Sequence, residues 1–296
     1  MQSFTTIRTV LVHRLHTVPT LVQSISHQWE KNGVGELLDP ISFKTAWTDY
    51  QGLMVQKIND LVVGTPEESK TTQQLLIAHA RDPLQAALFN YASMAHNNHH
   101  FFEAITTSPN PSQPRSTTGD GGPSLPRGMT PDLLAPLTAS FGSLETFRSE
   151  FLATAEAMFG PGFVWLVNKG GNFYILNTYL AGSPYADAHT RMQSVDMNTQ
   201  NVGSAGGLTA ADWRRQTEVQ NNPGSFGNFI EAHRRPGGIQ VQPVLCVNTW
   251  QHVWLPQYGV FGKREYLERW WEHVNWGIVE SRFKSAPLRK DNFQRK

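Results

Sequence analysis

Apolar residues along this chain fall into helical-period blocks, then a gap, then a further helical block followed by short apolar runs. Between 43 and 63 the segment FKTAWTDYQGLMVQKINDLVV puts Trp47, Tyr50, Leu53, Met54, Ile58, Leu61 and Val62 at the spacing of a helix face. A second helix is expected over 72–105. Pro83 interrupts it, and Asp82 is placed to cap a fresh start. Gly64 and Pro66 occupy the short connector between the two, which predicts an antiparallel helical hairpin.

Residues 107–131, TSPNPSQPRSTTGDGGPSLPRGMTP, carry no apolar period and mark a flexible linker. A helix follows over 140–159, with Phe141, Leu144, Phe147, Phe151 and Ala155 along one stripe. Strands are expected at 163–167 and 173–178, joined by the turn Lys169-Gly170-Gly171-Asn172. A polar, Gly- and Asn-rich insertion fills 182–238. A third strand over 240–247 then leads through Trp250 to helices from Lys263 to about Arg282. The order predicts an α+β protein: a segment at 1–40, a helical hairpin domain at 41–106, the linker, a domain at 132–283 with a small antiparallel sheet, and a basic tail at 284–296.

Composition sharpens this only in places. Hydrophobic residues make up 39% of the chain and charged ones 17%, low enough to agree with the two irregular stretches. A formal net charge of +1 gives no global pull toward nucleic acid. Basic residues are nevertheless clustered: Arg214-Arg215 and Arg234-Arg235 in the insertion, and Arg282, Lys284, Arg289, Lys290, Arg295 and Lys296 at the C-terminal end. Such clusters suit phosphate or protein contacts. The lone cysteine, Cys246, lies in an apolar run and fits a small buried hydrophobe. No segment reaches the roughly 18 to 20 apolar residues of a membrane-spanning helix. No acid precedes Glu30, while Arg8 and Arg14 sit among Thr, Ser, Val and Leu, the make-up of a mitochondrial targeting segment.

Four local motifs narrow the fold. FGSLETFRSEFLATAEAMFGPGFVWLV (141–167), VLCVNTWQHVWLPQYG (244–259), EYLERWWEHVNWGIVESRF (265–283) and FNYASMAHNNHHFF (89–102) together resemble the iron/manganese superoxide dismutases. The resemblance implies that family's fold: an N-terminal helical hairpin and a C-terminal α/β domain with a small antiparallel sheet. It also implies a metal held by three imidazoles and a carboxylate. Aligned on the motifs, those four positions are Ala46, Asn98, Asn248 and His252. Only His252 remains a ligand type. His99 follows one residue after Asn98, which on a helix is about 100° away in direction. Met54 stands where the family has a gateway tyrosine. Gly182 replaces an amide donor, and Gln251 replaces the glutamate the family uses across its dimer interface.

The segments HNNHHFF and NTWQH are similar to those of a dismutase-like set of fungal mitochondrial small-subunit ribosomal proteins. That likeness implies a scaffold in the mitochondrial matrix with no catalytic residues, metal or cofactor. Its implied partners are other small-subunit proteins, among them a related but non-identical dismutase-like paralogue, with limited contact to rRNA and none to membrane. His96, His99, His100, Gln251 and His252 are the interface candidates, and His252 is expected as a core histidine hydrogen-bonded in place of metal contact. Two other readings are a working dismutase with shifted ligands and a non-ribosomal mitochondrial assembly protein.

Overall fold

The computed structural model describes residues 26–80, 82–110, 125–186, 188 and 240–285. Helix α1 (Ser26–Asn32) ends at Gly33, whose φ of 75° favours glycine, and buries Trp29. Val34, Leu37 and Leu38 follow it into the core, so residues well before 41 are part of the packed fold. Asp39 caps α2 (Pro40–Phe43), accepting from Ser42 N at 2.6 Å, with Pro40 in the first turn. The helix runs on through a π-helical segment (Lys44–Asp49) into α3 (Tyr50–Val62).

Thr71 and Gln74 make a reciprocal capping box at the start of α4 (Thr72–His79). Asp82 accepts from Leu84 N at 2.9 Å, capping the 3₁₀ turn that leads into α5 (Ala86–Glu103). Helix α5 packs against α3 and α4, forming the hairpin.

The helix expected over 140–159 is two helices, and it begins earlier. Helix α6 (Pro131–Phe141) stops at Gly142, with φ 85°, and α7 (Leu144–Ala157) restarts under the Ser143 cap. Strands β1 (Gly162–Lys169), β2 (Asn172–Tyr179) and β3 (Gln242–Asn248) form one antiparallel sheet in the order β2-β1-β3. Gly170 and Gly171, at φ 62° and 94°, close the β1–β2 hairpin. β1 is central and buried from Gly162 to Asn168, which explains its unbroken apolar reading.

After β3 comes α8 (Gln251–Tyr258), a helix the apolar pattern does not predict; α9 (Lys263–Glu272) and α10 (Trp276–Lys284) follow. Arg282 and Lys284 therefore both sit on α10, and the helix runs one residue into the basic tail expected from 284. Helix α5 packs on β3, so the hairpin and the sheet share a core that includes Phe89, Phe101, Trp165, Tyr266, Trp270 and Trp276.

Candidate functional site: a chain of amides at the dismutase ligand positions

The four aligned positions converge where the π-helical segment, α5, the end of β3 and the start of α8 meet. Ala46, Asn98 and Asn248 are fully buried there. Asn98 Nδ2 donates to Ala46 O at 3.1 Å and to Gln51 Oε1 at 3.0 Å. Gln51, itself fully buried, donates from Nε2 to Ala95 O at 2.9 Å. Asn248 Nδ2 donates to Asn98 Oδ1 at 3.3 Å, while its own Oδ1 accepts from Trp250 N at 2.9 Å. Tyr266 Oη adds a bond to Asn248 O at 2.8 Å. Every amide in this line uses its donor and acceptor on a neighbour, as buried polar groups must.

His252 is not hydrogen-bonded as expected. Its ring stacks on Tyr50, with centroids 4.1 Å apart, and its buried Nε2 has no protein partner. The sequence reading expected a core histidine held by a hydrogen bond; His252 is instead half-buried and held by ring packing. Burial pushes its pKa down to about 4 and that of Tyr50 up to about 12.

These residues do not fit the metal that the resemblance implies. One imidazole, two carboxamides already bonded to each other and a methyl group supply neither the negative charge nor the imidazole count suited to Fe or Mn. Gln51 is the member the sequence reading missed. A polar residue one turn before Met54 and two before Ile58, on a stripe otherwise apolar, was the available signal.

The histidine cluster on α5 diverges. His96 Nε2 lies 2.7 Å from Tyr185 Oη, and the His99 ring sits 6.1 Å from that of Trp47. His100 is buried inside the chain, with Nδ1 at 3.5 Å from Cys246 Sγ and 3.2 Å from Arg282. Its ring meets Trp165 edge-on, so His100 is a core residue and not an interface candidate. Burial is the largest cause of lowering in both, with nearby Arg282 and the neighbouring histidines adding to it, holding His96 near 3 and His100 well below the ordinary imidazole range. Among the described residues, no three His, Cys, Asp or Glu side chains are placed to hold a metal. Cys246 is buried and its thiol is pushed up by that burial, as a packing residue would be.

Arg282 is not a free cation either. It bonds Glu103 Oε2 at 2.7 Å, His100 O at 3.0 Å and Val244 O at 3.3 Å, and its side chain is only 14% exposed. Lys284 is exposed and pairs with Glu280 and Asp132. Arg214, Arg215, Arg234, Arg235, Arg289, Lys290, Arg295 and Lys296 lie outside the described residues. Gln251 is exposed, and His96, His99 and His252 are half-buried.

Comparison with known proteins agrees with this fold. Residues 129–199 and 217–282 match the model of the iron/manganese superoxide dismutases, C-terminal domain. The chain is 25% identical over 282 residues to small ribosomal subunit protein mS43 of Schizosaccharomyces pombe, an alignment covering 93% of this chain and 89% of that one. It is 26% identical over 221 residues to small ribosomal subunit protein mS42 of the same organism, covering 74% and 76%. A manganese superoxide dismutase of Listeria monocytogenes is 26% identical over 253 residues, covering 84% and 90%. Fold agreement and a ligand set reduced to one imidazole thus occur in one molecule, which is similar to the iron/manganese superoxide dismutases through residues 129–199 and 217–282.

Proposed function

We propose that this chain is a non-catalytic scaffold of the mitochondrial small ribosomal subunit, a dismutase fold kept for binding rather than chemistry. The observation that carries this is the line Gln51–Asn98–Asn248, in which the amides at two of the four ligand positions, Asn98 and Asn248, are bonded to each other and to Gln51. Similarity to mS43 along nearly the whole length supports the ribosomal assignment. A scaffold can survive such a change because only the site, and not the fold, carries a catalytic function.

The expected partner is a related dismutase-like protein rather than a second copy. Gln251 is exposed at the start of α8 beside the stacked Tyr50–His252 pair. Its neutral side chain replaces the charged group through which dismutase subunits pair in the resemblance described above. Contacts with rRNA are expected to be limited and to come from the basic residues of the insertion and the C-terminal end.

The test is to tag the full-length chain, isolate mitochondrial small subunits on a gradient, and measure metal in the purified chain. The chain is expected to co-sediment with the subunit, to contain far less than one Fe or Mn per molecule, and to show no dismutase activity. One-to-one metal content together with activity overturns the scaffold reading, and a chain found only outside small subunits overturns the ribosomal one. A tight homodimer on ultracentrifugation, with no related partner in cells, refutes the paralogue pairing.

A further inference from the structure

We draw no further inference here: the strongest candidate, the two buried ring nitrogens without a protein partner at the start of α8, Trp250 Nε1 and His252 Nε2, belongs to the dismutase ligand positions already described, and nothing in the structure shows the two atoms facing one cavity.

Discussion

Asn98 donates twice and accepts once without carrying a charge, and that is what lets it stand at the centre of a buried cluster. Asn98→Ala strands Gln51 Oε1, Ala46 O and Asn248 Nδ2 together, so it is expected to lower stability by about 2 to 3 kcal/mol in urea unfolding. His252 acts by a different route. Burial holds it down to about 4 and His96 to about 3, whereas both take up a proton near the ordinary imidazole value of about 6.5 once unfolded. The folded state thus binds fewer protons over that interval, and stability present above about pH 6.5 is lost as the pH falls toward 4. Glu67 and Glu280, both held below the ordinary carboxylate range by hydrogen-bonded partners, add to the loss only at the lower end. His252→Phe keeps a ring against Tyr50 but removes the titration. Melting temperatures of this variant are expected to fall less steeply between pH 6.5 and 4 than those of the parent.

Among the elements, two glycines give opposite expectations. A Cβ on Gly162 would lie 2.1 Å from Thr178 O and 2.4 Å from Met158 Cε, so Gly162→Ala forces β1 away from β2. It is expected to cost about 3 kcal/mol. Gly52 lies inside α3 with nothing within 4 Å of its missing Cβ, and Gly52→Ala is expected to stabilise by roughly 0.5 to 1 kcal/mol. Thermal denaturation of the pair reads both signs. The helices and the β1–β2 hairpin were legible in the sequence because period, caps and the Gly170-Gly171 turn agree. The α6–α7 break was not, since Phe141 and Leu144 carry the apolar stripe across Gly142. Pro256, which has no N–H to give, disguised α8. The degenerate ligand positions were readable one by one, but the amide line needed Gln51, Asn98 and Asn248 brought together from three distant segments.

At the scale of the molecule, Arg282 joins the halves. From α10 it reaches the end of α5 through Glu103 and His100 O, and β3 through Val244 O. Arg282→Met keeps much of the stem while leaving those acceptors unmet, and is expected to cost about 2 to 3 kcal/mol. Hydrogen exchange should rise first at the last turn of α5, before the sheet loosens. The amide line has a consequence at this scale too. A protein whose core closes around an ion is complete only after the ion arrives, so its accumulation follows the cell's supply of that element. Here Gln51, Asn98 and Asn248 close the same region with polypeptide alone. On the scaffold reading proposed above, such a chain needs no ion to close its core, and its accumulation is expected to be independent of the cell's supply of iron or manganese.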